Sequence, residues 1–145
     1  MSIMDQVYKA EPKTVTTNSI MMRINVNGQA YYGFANCHPD DQDFYSEKVG
    51  STIAHMRAEI NAFRDLRDHA AYEWKTLKKA FADAYQNNAT PCPQFQKAVW
   101  QAENRYRKYQ QAVKDMRATL SNYLKNQDKV ISSLRRQREQ KAKTN

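Results

Sequence analysis

Between Val49 and Ala84 an apolar residue returns at alternating steps of four and three: Val49, Ile53, Met56, Ile60, Phe63, then Ala70, Trp74, Leu77, Phe81 and Ala84, with Arg67 as the polar slot in the series. A 4-3 rhythm held this long predicts a helix packed along a seam against other helices, not a solitary surface helix. The rhythm restarts at Phe95 and runs through Val99, Ala102, Tyr106, Tyr109, Val113, Met116, Leu120 and Tyr123, and it continues beyond Gln127 with Val130 and Leu134. The Asn- and Pro-rich stretch 86–93 separates the two series and cannot continue a helix comfortably. Pro93 suits the first turn of the second helix, where a missing N–H does no harm. Two rods joined by a short loop predict an antiparallel helical hairpin.

Upstream the period changes to two. Ile20, Met22, Ile24 and Val26 alternate with polar residues, Asn27-Gly28 follows, and Ala30, Tyr32 and Phe34 alternate again. Asn-Gly most readily takes the positive φ angles of a type I′ turn, so this reads as a β-hairpin. A two-stranded hairpin is marginal alone, so its apolar face is expected on the helices or against another chain's sheet. Asp40, Asp41 and Asp43 crowd the start of the first helix, with Ser46 or Asp43 as its N-cap. Gly50, in the first turns, costs about 1 kcal/mol relative to Ala. It marks either a close approach or tolerance near a fraying end. Residues 1–18 are polar without a helical period and read as a flexible leader. Residues 19–134 read as a single hairpin-plus-two-helix domain, and 135–145 as a basic C-terminal tail. The fold class expected is α+β, mostly α.

Both rods carry apolar residues outside the seam: Leu66, Tyr72 and Tyr85 on the first, Trp100, Leu124 and Ile131 on the second. A second stripe implies a second contact surface, and a homo-oligomer is expected.

Composition narrows the function classes. With 41% hydrophobic and 26% charged residues in 145, the chain reads as one soluble domain. No apolar run approaches the ~20 residues of a membrane span, and the N-terminus lacks a signal-peptide pattern. No membrane partner is expected, and the location expected is the cytoplasm. The net charge is +8, and residues 129–145 hold six cations against Glu139, which is 6 − 1 = +5 of it. Such a run is either a nucleic-acid arm or a solvated helix end. Cys37 and Cys92 make no disulfide framework, and the Cys and His spacing fits no metal site, so neither metal nor cofactor is expected. No phosphate-binding glycine loop or nucleophile motif is present, and no enzymatic activity is expected.

Binding is better supported. Arg57, Arg64 and Arg67 lie on the first helix, and Arg105, Arg107 and Arg117 on the second beside Asn104. Phe44, Tyr45, Phe95, Trp100, Tyr106 and Tyr109 interleave with them. Arginine clamps phosphate with a planar fork, an aromatic face stacks a base, and Asn matches adenine's donor–acceptor edge. The competing reading is arginine stems lying over an aromatic helix interface.

A hairpin ending in Gly33-Phe34-Ala35-Asn36-Cys37-His38-Pro39-Asp40 leads into a helix carrying Gly50-Ser51-Thr52-Ile53-Ala54-His55-Met56-Arg57-Ala58, and a second long helix follows. This arrangement, over about residues 21–125, resembles the first type of phage Thoeris anti-defence proteins. These are small sponges that capture cyclic ADP-ribose variants made by bacterial Thoeris immunity, and some also bind cyclic oligonucleotides. The resemblance implies a non-enzymatic protein of the host cytoplasm. It would assemble up to a hexamer and hold glycocyclic ADP-ribose intact in pockets between protomers. With the arginine–aromatic–Asn set, it implies Arg57 and Arg105 for phosphate, Phe95 for stacking and Asn104 for polar contacts. The alternatives are a nucleic-acid-binding phage protein acting through its basic tail and a coiled-coil adaptor without a small ligand.

Overall fold

The computed structural model describes residues 7–16, 19–36, 46–87, 90 and 92–144. They form an antiparallel sheet followed by two long helices. The strands are β1 (Val7–Thr16), β2 (Ser19–Val26) and β3 (Gln29–Asn36), in the order β1-β2-β3. The helices are α1 (Glu47–Gln86) and α2 (Pro93–Thr144). The chain divides into two compact units. One comprises Met1–Asn61 with Met116–Asn145, and the other Ala62–Asp115.

In the first unit the β2–β3 hairpin turns at Asn27 (φ 52°) and Gly28 (φ 81°), the left-handed conformations a type I′ turn requires. A two-residue loop fixes the register: Val26 pairs with Gln29, Ile24 with Tyr31, Met22 with Gly33 and Ile20 with Ala35. Cross-strand partners share a face, so even positions of β2 stand with odd positions of β3. Ile20, Met22, Ile24, Val26 and Ala35 are buried accordingly. Tyr32 and Phe34 are exposed on the opposite face. The expectation that they share the apolar face of β2 is corrected: period-two alternation was read separately in each strand, whereas the turn length sets their relative phase.

The polar leader expected over 1–18 is corrected as well, because Val7–Thr16 forms β1 and pairs antiparallel with β2. Its register shifts between Tyr8 and Ala10 and again between Thr14 and Thr16. Pro12 sits opposite Met22 on this outer strand, a position where a missing N–H need not break a ladder. The expected loop over Cys37–Asp41 and the Asp43 cap lie outside the described residues.

Helix α1 starts where its cap predicts. Ser46 Oγ accepts the N–H of Val49 at 3.3 Å, which satisfies one of the orphan amides of the first turn. Its first turns carry a small-residue stripe, Gly50, Ala54 and Ala58, all buried. A Cβ on Gly33 would lie 2.0 Å from the Ala54 carbonyl oxygen and 2.4 Å from the Ala58 nitrogen. The helix backbone therefore runs directly against β3, and glycine is required by the close approach.

In the second unit the two helices run antiparallel, as the seam predicted. Phe63 meets Tyr109, Trp74 stacks on Tyr106 (5.5 Å between ring centroids, 23°), and Phe81 stacks on Phe95 (5.6 Å, 17°). Every predicted seam position from Val49 to Ala84 and from Phe95 to Tyr123 is buried or half-buried. The rhythm then loses its partner: Val130 and Leu134 are exposed. Helix α2 nonetheless continues to Thr144, so the basic tail is helical to that point, and among the described residues from Asp128 to Thr144 only Ile131 is half-buried. Pro93 opens α2, and the Cys92 carbonyl accepts the N–H groups of Phe95 and Gln96 at 3.0 and 3.2 Å.

Candidate functional site

The four residues singled out from sequence fall in different surroundings. Arg57 belongs to the first unit. Its Nη1 donates to the Phe34 carbonyl at 2.7 Å, and one turn later Asn61 Nδ2 donates to the Tyr32 carbonyl at 2.7 Å. The fit is geometric. Four helix residues rise ~6.0 Å, and two strand residues advance ~6.8 Å. In this register the carbonyls of Tyr32 and Phe34 point away from β2, so both side chains cap the free edge of the sheet. Part of Arg57's donor set is thus committed to a structural bond that its sequence position did not foretell.

Phe95, Asn104 and Arg105 belong to the second unit. Phe95 is half-buried against Phe81. Nine residues separate Phe95 from Asn104, roughly half a revolution beyond two full turns at ~100° each, so the two point to opposite sides of α2. Within one chain Phe95 cannot stack a ring that Asn104 addresses. Asn104 and Arg105 do share a surface depression, lined also by Trp100, Gln101 and Lys108, with a volume of about 440 Å³. Trp100 is 61% exposed and stands one turn before Asn104, with Lys108 one turn after it. Among the lining residues it is the ring that stands open to a planar group. The i, i+4, i+8 spacing puts Trp100, Asn104 and Lys108 on one face of α2.

Arg105 Nη1 pairs with Glu73 Oε2 across the helices at 2.8 Å, with both side chains about half exposed. One bond leaves most of its five N–H donors for another group. A pair this exposed contributes little to stability. Its consequence is orientation, because Glu73 fixes the guanidinium beside Asn104. A second depression of about 380 Å³ lies over the Trp74–Tyr106 stack, lined by Arg107, Gln110, Gln111 and Lys114. Here Arg107 is held by Glu103 at 2.7 Å and Gln111 by Asp115 at 2.9 Å. The Lys78 ammonium sits 5.3 Å from the Trp74 ring centre.

Among the described residues, His55 is the titratable group clearly displaced from its ordinary value. It is half-buried on α1. Its hydrogen bond to Glu59 raises its pKa above 6.5, burial opposes this, and the carboxylate charge adds to the rise.

No helix among the described residues is long and apolar enough to cross a membrane. No family model, curated protein or solved structure matches the chain.

Proposed function

We propose that the chain is a non-catalytic capture protein for a small cyclic nucleotide signal of the cyclic ADP-ribose type. It acts as a phage counter-defence sponge in the host cytoplasm. The observation that supports this reading is the group Trp100, Asn104, Arg105 and Lys108 in one depression. An open ring, an amide and two cations are the set that an adenine base and a pyrophosphate need. Trp100 stacks the adenine, Asn104 addresses its edge, and Arg105 and Lys108 hold phosphate.

The depression has the volume of a ligand pocket but is open on one side. A tightly held ligand needs a second wall, and a neighbouring copy of the chain is the source this reading assigns. The resemblance noted above makes the assembly a hexamer and extends the ligand class to cyclic oligonucleotides. Capture without chemistry needs no nucleophile, general base or metal at the site.

Titration calorimetry of the full chain with glycocyclic ADP-ribose tests the reading. Saturable binding is expected, weakened about tenfold or more by Trp100→Ala and by Arg105→Ala. Both variants should keep the wild-type circular dichroism spectrum. Wild-type affinity in both variants would contradict the site, and absence of heat in the native protein would contradict the function.

A further inference from the structure

The register that buries one face of the sheet leaves the other with a distinct composition. Phe34 stands opposite Met21, Tyr32 opposite Arg23, and Ala30 opposite Asn25. Phe34 is 51% and Tyr32 42% exposed, Arg23 is exposed, and Met21 is half-buried. In this part of the sheet the branched aliphatics Ile20, Ile24 and Val26 all lie on the inner face. What remains outward is two aromatic rings, a guanidinium, a thioether, an amide and a methyl group.

We propose that this outer face binds single-stranded nucleic acid by stacking successive bases on Tyr32 and Phe34. Rings this exposed leave apolar surface in water, and stacking a base would cover it. Two rings at alternate positions of one strand are ~7 Å apart, a spacing that accepts two splayed bases. Aromatic side chains presented on an antiparallel sheet are a general solution for single strands, because every base has a π-face. Arg23, beside Tyr32, is placed to meet a phosphate or to stack in turn. Residues 129–145 carry +5 of the net charge of +8, so the charge that the sheet itself offers a polyanion is that of Arg23. The register also sets Lys13 opposite Met21 and Glu11 opposite Arg23 on β1.

The competing occupants fit less well. A second copy packed face to face by a two-fold axis would bring like-charged Arg23 side chains into one interface, with only Met21 and Ala30 as aliphatic filling. Strand addition along β3 is blocked where Arg57 and Asn61 occupy its outward carbonyls. The platform is made of β2 and β3 residues and shares none with the capture site on α2.

Fluorescence anisotropy of the full chain with a labelled ten-nucleotide oligo-dT strand tests the proposal. Binding that weakens with salt is expected, reduced about tenfold or more by each of Tyr32→Ala and Phe34→Ala. Tyr32→Phe and Phe34→Tyr keep the rings and should retain it. The double alanine variant should remain folded by circular dichroism and still take up glycocyclic ADP-ribose, which separates this platform from the capture reading. Absence of oligonucleotide binding overturns the proposal. Binding that survives the double variant but disappears on removal of residues 129–145 assigns it to the basic helix end and also overturns it. If the double variant changes the oligomer mass without changing oligonucleotide affinity, the face is a contact between copies and the proposal fails.

Discussion

Gly33 is the residue on which the first unit's packing is most finely balanced. Its missing Cβ leaves room for the α1 backbone at Ala54 and Ala58. Backbone atoms cannot swing aside as a long side chain can. Gly33→Ala should therefore destabilise the protein by about 2 kcal/mol or more, measured as a lowered midpoint in urea unfolding. His55 gives a prediction of opposite character. Its folded pKa lies above the unfolded value of 6.5. Its contribution to stability is thus fully present below about pH 6.5 and is lost as pH rises through the folded value. Unfolding midpoints measured from pH 6 to pH 9 should show this decline, and His55→Gln should remove His55's share of it. Neither residue announces its role in the sequence. Gly33 lies within a strand whose face is set by the turn at Asn27, and the Arg57–Phe34 bond joins residues far apart in the chain. The expectation of Arg57 as a phosphate ligand rests on residue type, which is visible in sequence, whereas its bond to the Phe34 carbonyl is not.

The helices were legible because one physical signal, apolar residues at alternating steps of three and four, persists through both. The caps at Ser46 and Pro93 were legible for the same kind of local reason. β1 was not, since Pro12 and the mixed polar pattern of an edge strand look like a leader until a neighbour supplies hydrogen bonds. Phe95 belongs at this scale too. Its ring is stacked on Phe81, so Phe95→Ala should cost about 1–2 kcal/mol in the stability of the helical pair, seen in thermal or urea unfolding. The sequence reading of Phe95 as a ligand ring instead expects lost binding at unchanged stability. The end of α2 offers the reverse case. From Asp128 onward it is exposed apart from Ile131, so a chain ending at Gln127 should unfold within about 1 kcal/mol of the full chain. Under the capture reading, that truncation leaves the signal's affinity intact.

For the molecule as a whole, the second apolar stripe read from the sequence separates into two groups. Leu66, Leu124 and Ile131 are half-buried, whereas Tyr72, Tyr85 and Trp100 are exposed. Tyr72, at 75% exposure, is the clearest probe of assembly. Under the proposed oligomer, Tyr72→Glu should lower the mass seen by light scattering while leaving the helical content unchanged. The open depression beside Trp100 and these exposed rings share the second unit, which is why capture and assembly are tied together in the proposed function. Native mass spectrometry of the full chain mixed with glycocyclic ADP-ribose reads both at once. The account predicts a multiple of 17.0 kDa, six-fold if the sponge resemblance extends to assembly, carrying ligand of unaltered mass that is released intact on unfolding. A bare 17.0 kDa monomer, or an adduct with the mass of a cleaved product, would contradict it.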